Sequence, residues 1–253
     1  MQIFAKNSSF SCFSRFLLQN FTTADKKLTH FVSVPCIDPE TKRTLIEIQQ
    51  NLMKTAKNFS KPQETSQKLC FLSNPNLFHL TLCMLSLPNP SKKVAVERIF
   101  AENRQKLIKI LPKDQNFPLH FDKISCFSLE NRRSRASDVI FLQPRKDEAL
   151  EILHEISHIL ISSFIESKIV DFSALSSINI IEDSAKKLRM SHFHMTLARV
   201  KDLPAEKLVE ELRKQMKNSI KIPLSSLDVS TRFEYDSQKF YKPLIRLKTC
   251  DNS

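Results

Sequence analysis

The sequence predicts an α+β fold of two lobes related by an internal pseudo-twofold. Two observations carry that reading. Each half of the chain runs strand–helix–strand–helix–strand, and the central strand of each half holds the same five-residue signature. The signature is Phe78-His79-Leu80-Thr81-Leu82 in the first half and Phe193-His194-Met195-Thr196-Leu197 in the second. A chain of 253 residues is long enough for two such lobes around a sizeable core.

The elements follow in order. His30-Phe31-Val32-Ser33-Val34-Pro35 is a β-rich run stopped by proline. Residues 39–59 carry Leu45, Ile48, Leu52, Ala56 and Phe59 at helical spacing. Residues 61–76 are polar with two prolines and read as loop. A strand over 77–87 precedes a helix over 94–111, whose apolar positions are Val94, Ile99, Leu107, Ile110 and Leu111. Residues 117–129 are extended, and 123–138 include a basic loop with Arg132, Arg133 and Arg135. The second half repeats the series: strand 138–142, helix 146–166, strand 193–200, helix 205–217. Extended segments follow near 221–227, 230–235 and 244–247. The expected organisation is a basic arm over 1–27 and one domain over 28–250. Its lobes fall near 28–130 and 136–250, with possible strand exchange between them.

The chain contains no glycine, where average usage of about 7% would give roughly 18. P-loops, dinucleotide-binding glycine turns, GxSxG elbows and GXXG clamps all need a tight turn without a Cβ, so those classes are excluded. Positions with positive φ are expected to fall to Asn or Asp, such as Asn74, Asn76 and Asn89. Thirty-nine Lys and Arg against 27 Asp and Glu give a net charge of +12, which favours polyanionic partners. Six cysteines without a CxxC pair suit reduced thiols of an intracellular protein. No apolar run approaches 18 residues, so no transmembrane segment is expected. A cytoplasmic or nuclear monomer is the expectation; the acid-free residues 1–24 also fit an organelle transit peptide.

Alternation along a strand puts His79 and Thr81 on one face, and likewise His194 and Thr196. Two such strands, one per lobe, would bring two imidazoles and two hydroxyls to a common cleft. That set suits phosphodiester cleavage without metal or cofactor. One neutral imidazole takes a proton from the attacking hydroxyl or water, and a protonated one gives a proton to the leaving oxygen. The threonine hydroxyls hold the non-bridging phosphate oxygens. His192, Phe78 and Phe193 flank the motifs as candidate substrate contacts. Lys186, Lys187 and Arg189, with the arginines at 132, 133 and 135, could extend a path for an RNA backbone.

His154-Glu155-Ile156-Ser157-His158 matches the HExxH zinc pattern. Helical phasing sets both histidines opposite the buried stripe, with Asp147 and Glu151, so a solvated helix face is expected and no metal site. His192 and His194 with His79 are a further nominal metal set, for which a cationic His192 beside the cleft is preferred.

The two motifs resemble those of the 2H phosphoesterase superfamily, which is defined by two His-x-[Ser/Thr] strands. Thr29 to Pro35, and Asn74-Pro75 leading into Phe78 to Leu85, resemble one branch of it. That branch holds the A-kinase anchor protein 7-like phosphoesterase domain and the C-terminal domain of activating signal cointegrator 1 complex subunit 1. The resemblance implies a bilobal fold of antiparallel-rich sheets with outer helices. It also implies metal-independent action on RNA ends, 2′,5′-linkages or cyclic phosphates, or nucleotide binding alone within a larger protein complex. It assigns His79 and His194 as the catalytic pair and Thr81 and Thr196 as phosphate ligands. The chain departs from the branch at His192, where lysine is common.

Overall fold

Three Asx-Pro steps set the starts of helical segments in the first half. Asp38, Asn74 and Asn89 each precede a proline, and each side chain accepts a backbone N–H two or three residues on: Thr41, Asn76 and Lys92. Proline supplies a preset φ and lacks the N–H that a first helical turn would leave unpaired. Asp147 caps the next helix through the Leu150 N–H.

The computed structural model describes residues 28–60, 70–111, 117–127, 137–171, 180–183, 185–190, 192–216 and 218–248. In chain order these form β1 (His30–Pro35), α1 (Pro39–Phe59), β2 (Cys70–Leu72), a 3₁₀ turn (Pro75–Leu77), β3 (His79–Leu85), α2 (Pro90–Ile110), β4 (Pro118–Phe127) and β5 (Asp138–Pro144). Then come α3 (Glu148–Glu166), β6 (Ile180–Glu182), β7 (Leu188–Met190), β8 (Met195–Val200), α4 (Ala205–Gln215), β9 (Ile220–Pro223), β10 (Ser226–Tyr235) and β11 (Tyr241–Lys248). The strands make an α+β architecture of two antiparallel sheets. Sheet one has the order β11-β10-β1-β3, sheet two β2-β8-β5-β4-β9, and β6-β7 stand apart as a hairpin.

Both sheets draw on both halves of the chain. β4, which closes the first half, pairs with β5 in sheet two, and β10, from the end of the second half, pairs with β1 in sheet one. The helices cross over in the same sense. α1 packs with α4 and touches β8 and β9 of sheet two, while α3 packs with α2 and touches β3 of sheet one. One connected hydrophobic core results, including Leu45 and Leu52 of α1, Leu80 and Leu82 of β3, Phe164 of α3 and Leu197 of β8.

Several elements differ from the expectation. Helix α2 begins at Pro90, four residues before the first apolar position, because the Asn89 cap defines its start. β2 lies inside the segment read as loop, and the β6-β7 hairpin has no counterpart among the expected elements. Three-residue strands are too short to display a period of two. Residues 123–127 belong to β4 rather than to a basic loop. The expected arm over 1–27 and Arg132, Arg133 and Arg135 lie outside the described residues.

The positive-φ positions are different in part. Among the described residues they are Lys168, Lys186, Asp202 and Lys239, of which only Asp202 is of the expected type; Asn74 and Asn89 have φ of −64° and −137° and act as caps instead. Lys168 stands just past α3 in a Schellman arrangement, where the Ile169 N–H reaches the Phe164 carbonyl at 2.8 Å. Lys186 and Lys239 occupy the same position in two matching turns, Asp183 to Lys187 and Asp236 to Phe240. In each, the aspartate Oδ1 accepts two backbone N–H groups at 2.9–3.0 Å, from Ala185 and Lys187 in one and from Gln238 and Phe240 in the other. The carboxylate holds a loop whose left-handed residue is usually glycine.

Candidate active site

His79 opens β3 one residue past the 3₁₀ turn, and its Nδ1 lies 2.7 Å from the Leu77 carbonyl. His194 stands one residue before β8, and its Nδ1 lies 3.3 Å from the His192 carbonyl. A carbonyl only accepts, so each Nδ1 carries the hydrogen and each Nε2 keeps a lone pair. The same tether, to the carbonyl two residues back, thus orients both imidazoles.

The motif strands share a second device. Opposite β1, the register runs Ser33↔Thr81 and then Val32↔Cys83, which leaves Leu82 as a bulge. Opposite β5 it runs Phe141↔Thr196 and then Ile140↔Ala198, which leaves Leu197 as a bulge. Both bulged leucines are the third residue after the histidine and both are fully buried. Each bulge inverts the alternation, so residues 79, 81 and 84 share the more open face of β3, and 194, 196 and 199 that of β8. The Leu197 carbonyl is met by the Ser73 N–H at 2.9 Å and by the buried Gln49 amide at 2.8 Å.

β3 and β8 touch each other, and each histidine lies within the field of a second cation-forming group. Burial pushes the His79 imidazole down to about 4, against the Leu77 carbonyl, and the nearby His194 depresses it further. Burial likewise lowers His194, against the His192 carbonyl, with His192 and Arg199 adding to the depression. Aromatic rings do the burying. Phe31 and Tyr241 flank His79 at ring-centroid distances of 4.8 and 5.3 Å. Phe127 and Phe141, stacked on each other at 4.2 Å, present themselves to His194 at 5.3 Å each.

Thr81 and Thr196 are half-buried, and among the described residues neither hydroxyl has a hydrogen-bond partner. Thr81 heads a polar row across sheet one: Thr81 faces Ser33, Ser33 faces Asp228, and Asp228 faces Arg246. Asp228 is fully buried and takes a bidentate Arg246, with Nη2 at 2.6 Å and Nε at 3.0 and 3.1 Å. Ser33 and Ser230 are buried on the same face, and among the described residues neither hydroxyl has a hydrogen-bond partner. Phe31 lies four residues along β1 from the partner of His79, so the two rings lean together over the Ser33–Thr81 pair.

Three sequence candidates need correction. Phe78 and Phe193 are 2% and 4% exposed and belong to the core, as the alternation opposite His79 and His194 requires; they are not cleft residues. The HExxH face is not solvated. His154 packs on Phe193 at 4.9 Å, His158 Nδ1 accepts the Leu188 N–H at 3.1 Å, and Glu155 pairs with Lys187 at 2.6 Å. The β6-β7 hairpin covers that face, which helix phasing alone could not anticipate. Among the described residues, no group of three His, Cys, Asp or Glu side chains is arranged to hold a metal. His192 is exposed and edges toward Phe127 at 6.1 Å. Of the basic path, Lys186 and Lys187 sit at the hairpin turn, and Lys187 is paired. A depression of about 320 Å³ lined by Pro35, Ile37, Pro39, Ile222 and Pro223 opens beyond β1, and neither motif histidine lines it. No described helix is long and apolar enough to cross a membrane.

Phe31, Tyr241, Phe127, Phe141, Ser33, Asp228 and Arg246 escaped the sequence reading. Ser226, Asp228 and Ser230 alternate in a strand, a pattern that fixes which residues share a face but not that the face is buried.

Two antiparallel sheets, each with a His-x-Thr strand near the other, are the architecture of a 2H phosphoesterase. The chain belongs to the AKAP7 2′5′ RNA ligase-like domain family, whose sequence pattern matches residues 28–248. No curated protein matches it. Similar solved structures include TT0787 of Thermus thermophilus, at 15% identity and a TM-score of 0.49 over 87% of this chain and 97% of that one. E. coli LigT complexed with 3′-AMP aligns at 16% identity and a TM-score of 0.44, over 87% and 97%. Usb1 of Kluyveromyces marxianus with uridine monophosphate aligns at 9% and 0.45, over 83% and 96%.

Proposed function

We propose that this chain is a metal-independent phosphodiesterase that cleaves a phosphodiester or cyclic phosphate in RNA ends or 2′,5′-oligonucleotides. The observation that carries the reading is the duplicated site: two carbonyl-tethered imidazoles with Nε2 lone pairs, each followed by a threonine hydroxyl with no protein partner among the described residues.

The arrangement supplies both proton transfers. The Nε2 of one histidine takes the proton of the attacking oxygen, either the substrate's own 2′-hydroxyl or water. The new O–P bond forms as the bond to the leaving oxygen breaks. The other histidine, protonated, delivers its proton to that leaving oxygen. Thr81 and Thr196 donate to the non-bridging oxygens and hold the phosphorus between the two rings. Burial keeps both histidines neutral in the free protein at pH 7. An arriving phosphate anion favours the protonated form of an adjacent imidazole, and so loads the acid only when substrate is bound.

The depressed affinity of both imidazoles for protons also favours a second reading. A site that does not load its acid would hold a nucleotide or RNA end without turning it over. Product analysis separates the two. Short 2′,5′-linked, 3′,5′-linked and 2′,3′-cyclic-ended RNAs are incubated in EDTA with the wild type and with His194→Ala. Cleavage that persists in EDTA and vanishes in the variant is the expected result. Binding without product from any species would replace the enzyme with the binding module, and full activity in the variant would sink the two-histidine mechanism.

A further inference from the structure

We propose that the β10-β11 hairpin is a stacking platform for a second nucleobase, so that the substrate is a single-stranded oligonucleotide rather than a mononucleotide. The proposal rests on the phosphodiesterase reading and extends it outward from His79. Tyr241 is the link. Its ring meets His79 at 5.3 Å and Phe31 at 4.9 Å, both edge-on, and it meets Tyr235 at 5.7 Å with only 33° between the ring planes. Tyr235 is the register partner of Tyr241 on the neighbouring strand and is 54% exposed. Phe233, two residues back on β10, is 59% exposed, with the Arg232 guanidinium 5.3 Å from its ring centre. An aromatic series thus starts at the motif histidine and ends in solvent.

Large exposed rings need a reason, and Tyr235 is continuous with the cleft through Tyr241. Their flanks choose the occupant. Arg232, Lys239 and Lys242 stand on the hairpin, and its three acids are all engaged: Asp228 by Arg246, Glu234 by Lys242, and Asp236 by the backbone N–H groups of its turn. Rings interleaved with cations suit a strand that offers bases to one and phosphates to the other. A base attached next to the scissile phosphate would meet Tyr241; the following base would meet Tyr235. A mononucleotide is too short to use both.

The test compares kcat and KM of the full chain on a 2′,3′-cyclic mononucleotide and on di-, tri- and tetranucleotides of the linkage that the wild type cleaves. The enzymes are wild type, Tyr235→Ala and Tyr235→Phe. Wild-type KM should fall as the chain lengthens. Tyr235→Ala should raise KM about tenfold on the tetranucleotide and leave the cyclic mononucleotide unchanged, while Tyr235→Phe restores the length dependence. Equal loss on all substrates, or no loss on any, overturns the platform. If the wild type cleaves nothing, the phosphodiesterase reading fails on its own. Fluorescence anisotropy with a labelled tetranucleotide then decides the hairpin: weaker binding by Tyr235→Ala supports it, and equal binding overturns it.

Discussion

β3 and β8 carry the same signature, the same bulge and the same carbonyl tether, yet their neighbourhoods differ. β3 is the edge strand of sheet one, whereas β8 lies between β2 and β5 in sheet two. The residue facing Thr81 is a serine, in a row that ends in a buried carboxylate and an arginine; the residue facing Thr196 is Phe141, stacked on Phe127. The signature therefore fixes the position of each imidazole and hydroxyl, while neighbouring strands set the polarity around them. A duplicated motif can thus supply two copies of one geometry with two different electrostatic settings, which acid and base roles require.

The largest expected effect tests whether the two strands are equals in chemistry. His79→Ala and His194→Ala should each lower kcat/KM by about 10²- to 10⁴-fold with an unchanged circular dichroism spectrum. A variant that retains full activity would break the equivalence. Next comes the polar row that only sheet one has. Arg246→Ala leaves Asp228 buried without its cation, and denaturant unfolding should show a loss of roughly 3 kcal/mol. Asp228→Asn should cost less, because the partly exposed Arg246 can turn to water.

The histidines should also make stability depend on pH. The folded-state affinity of His79 is lowered from 6.5 to about 4, so the unfolded chain binds more protons across that window. Stability should therefore be full above pH 6.5 and fall as pH drops toward 4, by on the order of 2–3 kcal/mol from His79 alone. His194 and His30 are lowered in the same direction and add to the slope. Urea titrations of His79→Gln should show a flatter profile than the wild type; an unchanged slope would remove His79 as its source. By the same directions, the kcat/KM optimum should lie on the acid side of 6.5.

The smallest effect concerns the matching turns. Lys239 stands at φ of 61°. Lys239→Gly relieves the Cβ clash but adds freedom to the unfolded chain, for a net gain of about 0.5–1 kcal/mol in thermal unfolding.

The fold class and the paired His-x-Thr strands were legible because alternation and helical spacing are local patterns, and because a repeated five-residue signature is hard to mistake. The bulges were not legible. Leu82 and Leu197 look like ordinary inward positions of a strand, and only the register against β1 and β5 shows the inversion. The environment of His79 was hidden for a similar reason. Tyr241 lies 162 residues further along the chain and reaches His79 across the sheet. The HExxH helix differs for two reasons: its buried stripe takes in Ser157, Ile161 and Phe164 and so turns closer to the histidines than the phasing places it, and the three-residue strand that covers that face leaves no sequence period. Glycine's absence points to Asn or Asp for the left-handed positions; Asp202 takes one of them, whereas Asn74 and Asn89 serve as caps and lysine takes the matching turns.

The pairing of β4 with β5 and of β10 with β1 has a consequence for how the molecule is made. Neither half of the chain can complete a sheet from its own strands, so β1 and β3 must wait for β10 and β11 to arrive. Such sequence-distant pairings delay the rate-limiting step of folding and join the two sheets into one cooperative unit. His79 and His194 accordingly become neighbours late, and the edge pairing of β3 with β1 is the one whose local opening would part them.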